Sequence, residues 1–80
     1  MTLTNAIRER IKGLCEENGI TINKLSTISG MTQSTLNNIF MRCNSKPTVS
    51  TIKKICDGLD ISLLDFFNSD VFNNLEQEVK

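Results

Sequence analysis

The sequence predicts an all-α domain of five short helices, on three observations. Apolar residues recur at three- and four-residue spacing, these stretches open on Thr or Ser, and no alternating run marks a strand. Eighty residues with 39% hydrophobic content predict one domain with one modest core.

Ile7, Ile11, Leu14 and Cys15 form the inward stripe of a first helix of about four turns. Thr4 is its expected cap and Asn18-Gly19 its stop. Thr21 caps a short second helix that turns Leu25 and Ile28 inward and ends at Ser29-Gly30. Thr32 caps a third, over 32–41, with Leu36, Ile39 and Phe40 inward. Asn44-Ser45-Lys46-Pro47 reads as a loop, since Pro biases the residue before it away from helix. Thr48 or Ser50 opens a fourth helix with Val49, Ile52, Ile55, Cys56 and Leu59 on one side, closed by Asp57-Gly58-Leu59-Asp60. Ser62 caps a fifth, through Leu63, Leu64, Phe66 and Phe67. The domain is expected over 1–67. Residues 68–80 form an acidic tail whose Val71, Phe72, Leu75 and Val79 suggest a further amphipathic turn or two with nothing to pack against.

Composition excludes several function classes. Arg8, Glu9, Arg10 and Lys12 interrupt the start, so no signal peptide is expected, and no run is long enough to span a membrane. The chain has no His, and Cys15, Cys43 and Cys56 are odd in number and widely spaced. Neither a metal site nor a disulfide framework is therefore expected, and reduced thiols suit a cytoplasmic protein. Cys15 and Cys56 are expected in the core; Cys43, beside Arg42, is a candidate redox-sensitive thiolate. No Gly-rich phosphate cradle or converging carboxylates point to an enzyme, a cofactor or a small-molecule ligand.

Net charge is zero but unevenly spread. Residues 1–56 carry eight cations and three acids, a net +5; residues 57–80 carry one cation and six acids, a net −5. A basic body with an acidic tail fits a polyanionic partner for the body, and repulsion by that partner would put the tail on the far side.

The second and third helices, joined through a Gly turn, have the layout of a helix-turn-helix. In that motif one helix crosses the DNA backbone and the next enters the major groove. Gln33, Ser34, Thr35, Asn37 and Asn38 lead the third helix, all uncharged and all able to hydrogen-bond base edges. Gln and Asn pair with adenine N6 and N7, and Thr methyls can touch thymine, so sites containing A·T pairs are compatible.

Residues 5–67, about four-fifths of the chain, resemble the Cro/cI-type, xenobiotic-response-element class of helix-turn-helix regulators, a five-helix lambda-repressor-like fold. TINKLSTISGMTQSTLNNIF (21–40) is similar to the family's two central helices, with Leu25, Gly30, Leu36 and Ile39 at its core and turn positions. KPTVSTIKKICDGLDISLLDFF (46–67) resembles its fourth and fifth. The resemblance implies sequence-specific binding of double-stranded DNA by a bacterial or phage transcription regulator, a repressor. It makes Gln33, Ser34 and Asn38 base readers, with Thr32, Thr35 and Asn37 beside them, and assigns Thr21, Arg42, Asn44 and Lys46 to the backbone. Two departures stand out. Ile22 occupies the position of a common phosphate-binding Gln, and Cys15 and Phe40 occupy positions where some relatives hold a buried Arg–Glu pair, so an apolar contact is expected there.

Regulators of this class gain affinity by pairing, and a homodimer is expected through Leu63, Phe66, Phe67, Val71, Phe72 and Leu75. The alternatives are a helical protein–protein adaptor and a DNA-binding antitoxin or mobile-element switch, because fold alone does not fix function.

Overall fold

A Thr or Ser side chain opens each of the five α-helices. The computed structural model describes residues 1–41 and 46–79. It contains α1 (Leu3–Asn18), α2 (Ile22–Ile28), α3 (Gln33–Met41), α4 (Val49–Leu59) and α5 (Leu63–Phe67), then a 3-10 turn at Asp70–Phe72. The fold is all-helical, with no strand among the described residues. Thr2, Thr21, Thr32, Thr48 and Ser62 each accept a hydrogen bond from the amide three residues on, at 3.0–3.2 Å. Each such cap satisfies an N–H that the helix itself cannot, and contributes about 1 kcal/mol. The first cap is Thr2 rather than the expected Thr4: Thr2 is extended, and Thr4 already lies in the helix. Leu3, packed against the core, draws the start of the helix forward.

Three helix ends repeat one solution. After α1, α2 and α4 a single residue turns left-handed: Gly19 (φ 63°), Gly30 (φ 69°) and Asp60 (φ 57°). Its amide bonds back to Glu16, Thr27 or Asp57, and the next amide reaches one residue further, to Cys15, Ser26 or Cys56 at 3.0 Å. This paired pattern satisfies carbonyls the helix leaves open. The residue that follows, Ile20, Met31 or Ile61, packs against the core and closes the turn. At Gly30 the left-handed backbone is what lets α3 leave α2 at a sharp angle, and Gly adopts it without a Cβ penalty.

The core lies where these helices meet. Ile7, Ile11, Leu14 and Cys15 of α1 pack with Leu25, Leu36, Ile39, Ile52, Ile55, Cys56 and Phe66. Burial raises the thiol pKa of both Cys15 and Cys56, which favours the neutral, unreactive form. Two apolar residues assigned inward face solvent instead: Val49, the first residue of α4, is 66% exposed, and Leu64 is 82% exposed. The periodicity that selects the inner face is weakest at the first turn of a helix, where nothing precedes the residue to fix its phase. Ile28, at the end of α2, is also exposed, and Leu59 is half-buried.

The tail does find company. Its 3-10 turn packs against α1, and the Phe72 ring lies 5.0 Å from that of Phe67 and 6.2 Å from that of the fully buried Phe66. Phe66 and Phe67 meet edge to face at 5.1 Å, a geometry worth roughly 0.5–1.5 kcal/mol beyond area burial. Further along, the Glu76 amide donates to the Met1 carbonyl at 3.0 Å. Arg10 ties α1 to the end of α5, donating to the Phe66 carbonyl at 2.7 Å and the Asp65 carbonyl at 2.9 Å. The tail is thereby seated on the same framework as the five helices.

Gly58, inside α4, marks the closest approach of two helices. A Cβ there would lie 2.7 Å from Ser29 Oγ and 2.9 Å from the Ile28 carbonyl oxygen. Gly58 is therefore needed for contact with the end of α2, not for a turn. Gly13 has no atom within 4 Å of an added Cβ. We expect Gly58→Ala to lower stability by about 1–3 kcal/mol through overpacking. Gly13→Ala should raise it by about 0.5–1 kcal/mol through helix propensity. Urea midpoints of the two variants check this pair, and equal shifts in one direction would contradict the interlock.

Candidate nucleic-acid interface

The α3 helix divides into two faces. Leu36 and Ile39 point into the core, at 0% and 3% exposure. Gln33, Ser34, Thr35, Asn37 and Asn38 are all exposed, spaced three and four apart on the opposite side. Burying Leu36 and Ile39 contributes roughly 1.5–3 kcal/mol each and fixes the rotation of the helix. The outer face carries no charge. The amides of Gln33, Asn37 and Asn38 and the hydroxyl of Ser34 make no side-chain hydrogen bond with any described residue. Their donors and acceptors are left to water, or to a ligand that displaces it.

Thr32 and Thr35 differ from their neighbours. Thr32 Oγ1 accepts the Thr35 amide at 3.2 Å and lies 2.8 Å from Thr35 Oγ1. Thr32 thus spends its hydroxyl on starting the helix, and Thr35 is partly tied to it. At the head of α2, exposed Thr21 accepts the Lys24 amide at 3.1 Å. Ile22 is half-buried against the core. Ser26, on the inner side of the tight turn, is 2% exposed, and its hydroxyl donates to the Asn23 carbonyl at 2.7 Å.

Arg8, like Arg10, does work that periodicity does not reveal. Arg8 Nε donates to the Ile39 carbonyl, near the end of α3, and an Arg8 guanidinium N–H donates to Asn5 Oδ1 at 2.9 Å. A cation at the C-terminal end of a helix also suits its dipole. At the two positions where an apolar contact between the first and third helices is expected, Cys15 is buried and Phe40 packs against the core. A polar link through Arg8 joins it, and the Lys12 ammonium lies 5.8 Å from the Phe40 ring centroid.

The structure adds residues that sequence reasoning missed. A groove of about 230 Å³ runs between α3 and the start of α4, lined by Thr35, Asn38, Ile39, Lys46, Pro47, Thr48 and Thr51. Lys46 is exposed on its rim, and Thr48 caps α4 with its hydroxyl 3.1 Å from that of Thr51. The order Lys-Pro-Thr before a helix was visible in the sequence, but its position beside α3 was not. A second groove, of about 410 Å³, is lined by Thr2, Thr4, Asn5, Arg8, Lys46 and Glu78. Lys46 stands between the two. Arg42, Asn44 and Cys43 lie outside the described residues. Among those described, no three His, Cys, Asp or Glu side chains cluster as metal ligands would.

The residues assigned to a dimer contact separate. Phe66 is wholly buried within the chain and offers no surface; Leu63, Val71, Phe72 and Leu75 are half-buried, and Phe67 is 37% exposed. Exposed Leu64 lies on the same short helix. Among the described residues no helix is long and apolar enough to cross a membrane.

Two buried stripes back to back, a left-handed turn between α2 and α3, and a polar outer face define a helix-turn-helix module. Comparison with known proteins agrees. Residues 11–66 match the family model described as Helix-turn-helix, and the chain belongs to this family, in its Cro/cI-type class of DNA-binding transcription regulators. Among solved structures, the chain is similar to one titled the prophage Lp1 protein 11, at 35% identity and a TM-score of 0.82. The match covers 94% of this chain and 99% of that one. No curated protein matches significantly.

The division of labour on α3 can be tested by stability alone. Thr32→Ala should cost about 1 kcal/mol, as loss of a cap does. Ser34→Ala and Asn37→Ala, which break no side-chain bond to any described residue, should stay within about 0.5 kcal/mol. Thermal melts of the three variants check this; a loss at Asn37 as large as at Thr32 would contradict it.

Proposed function

We propose that the protein is a sequence-specific transcription regulator, a repressor, that lays α3 in the major groove of double-stranded DNA. One observation carries the reading: an uncharged row of the Gln33, Asn37 and Asn38 amides and the Ser34 hydroxyl, unbonded to any described residue, on a helix whose inner face is buried. Such side chains match base edges in pairs, with a good bidentate contact discriminating by roughly 1–3 kcal/mol. Gln33, Ser34, Asn37 and Asn38 are the proposed readers, with Thr35 beside them. Thr32 acts mainly by starting the helix.

The flanking cations supply the sequence-independent part. Lys46, on the rim shared by both grooves, and Lys24, exposed on α2, are proposed phosphate contacts. The start of α4 adds amides and the Thr48 and Thr51 hydroxyls beside Lys46, where the helix dipole favours an anion. Arg42 and Asn44 keep their proposed backbone role through the resemblance. Among the other body cations, Arg8 and Arg10 hold carbonyls and Lys53 pairs with Asp57, so the basic excess is partly structural.

An adaptor would need an apolar groove where α3 faces outward, and that face is polar. Likeness to a prophage protein supports a place in a phage or mobile-element switch, acting in the cytoplasm on DNA. The proposed functional unit is a dimer paired through Leu64, Phe67, Val71 and Leu75, whose apolar surface lies beside α5.

Selection of random duplexes by the purified protein, with anisotropy measured from about 50 to 200 mM salt, tests the proposal. Affinity should fall steeply with salt, with a slope near −0.9 per phosphate neutralised. The retained duplexes should share an inverted repeat with half-sites about 34 Å apart. Gln33→Ala should lose preference for one position of that motif while keeping the salt slope. No binding at the lowest salt would overturn the DNA reading, and a single unrepeated motif would overturn the dimer alone.

A further inference from the structure

The acidic tail was expected on the side away from DNA, yet Glu78 lines the same groove as Lys46. Lys46 also lines the groove that contains Thr35 and Asn38 of α3. One exposed lysine therefore forms a common wall between the tail and the proposed reading helix. We propose that Glu78 is a built-in competitor for DNA phosphate at Lys46, lowering affinity for duplex of any sequence. The inference rests on the DNA reading above.

Three observations support it. First, the tail is anchored close to this position: the Phe72 ring lies tilted against that of Phe67, Leu75 is half-buried, and the Glu76 amide donates to the Met1 carbonyl at 3.0 Å, two residues before Glu78. Second, the neighbouring acid is engaged elsewhere, with the Glu76 carboxylate 3.8 Å from the Met1 amino group. Third, neither Lys46 nor Glu78 forms an ion pair among the described residues, and both are exposed across an open groove. A lysine ammonium on a flexible four-carbon stem can turn toward either groove. With no duplex present it shares a groove with Glu78 and Arg8. A phosphate arriving beside α3 must draw it away while being repelled by the same carboxylate.

The size of the effect follows from the exposure of both groups. Attraction between two exposed charges contributes little, so removing the competing charge should raise affinity about two- to five-fold at low salt. Screening should shrink the gain as salt rises. Because Glu78 faces phosphate and not base, the gain should be the same on random duplex and on a selected motif.

Duplex affinities of the wild type, Glu78→Gln, Lys46→Met and the double variant test the proposal, with Glu17→Gln, on exposed surface at the end of α1, as a control for net charge. We expect about two- to five-fold tighter binding by Glu78→Gln near 50 mM salt, much less at 300 mM. The gain should vanish in the Lys46→Met background and be absent in Glu17→Gln. If the wild type binds and Glu78→Gln does not bind more tightly, the competitor is overturned while the DNA reading stands. An equal gain from Glu17→Gln, or one that survives Lys46→Met, would overturn it as a bulk charge effect. Failure of every variant to bind duplex would overturn both.

Discussion

Burial of Leu36 and Ile39 behind α3 is the interaction on which the rest depends. A nine-residue helix is too short to persist in water by itself, because nucleation is costly and few backbone bonds repay it. Its shape has to come from the surface it rests on. Those two side chains belong to one buried cluster with residues of α1, α2, α4 and α5, and α2 is the helix that α3 packs against most closely. Arg8 adds a directional bond to the Ile39 carbonyl, near the end that hydrophobic contact alone would leave free to fray. With the inner face fixed in this way, the outer face can carry amides and hydroxyls chosen for a ligand instead of for helix stability.

The same economy runs through the connections. Where a left-handed exit is followed by a hydroxyl cap, at three of the connections, one helix gives way to the next within three or four residues. The apolar residue after each exit is packed inward, so each turn is closed both by hydrogen bonds and by burial. Close helix contact then demands small residues, as at Gly58 against Ile28 and Ser29 and at buried Ser26. Ser29 Oγ has no hydrogen-bond partner among the described residues. That unsatisfied hydroxyl is a cost borne where α2 and α4 press together.

Much of this was legible in the residues. Thr21, Thr32, Thr48 and Ser62 act where their chemistry suggests, and the stripes through Ile7, Ile11 and Leu14 and through Leu36 and Ile39 fall inward. These are local signals, written within one or two turns. Thr2 against Thr4 was not decidable locally, because both can cap and only the packing of Leu3 separates them. Val49 and Leu64 are outward for a related reason: each lies in the first two residues of its helix, where a stripe has little length to define its phase. The arginines were beyond reach altogether. Arg8 and Arg10 reach carbonyls 31 and 56 residues away, and periodicity says nothing about where a long side chain ends. The tail was misjudged for the same reason, since its partner α1 is at the other end of the chain. On the candidate site, the reading face was visible as composition. The groove beside α4, and the sharing of Lys46 with Glu78, emerge only when the helices are placed.

In the proposed complex α3 and its flanks, not the apolar surface beside α5, meet DNA. Amide and side-chain NMR spectra of isotopically labelled protein, titrated with duplex at low salt, test this most directly. We predict that shifts concentrate on residues 33–38, with weaker effects around Thr21, Lys24 and residues 46–51, while Leu64, Phe67 and Val71 respond only through dimerisation. Shifts confined to the α5 and tail surface, with Gln33 and Asn38 unmoved, would contradict it.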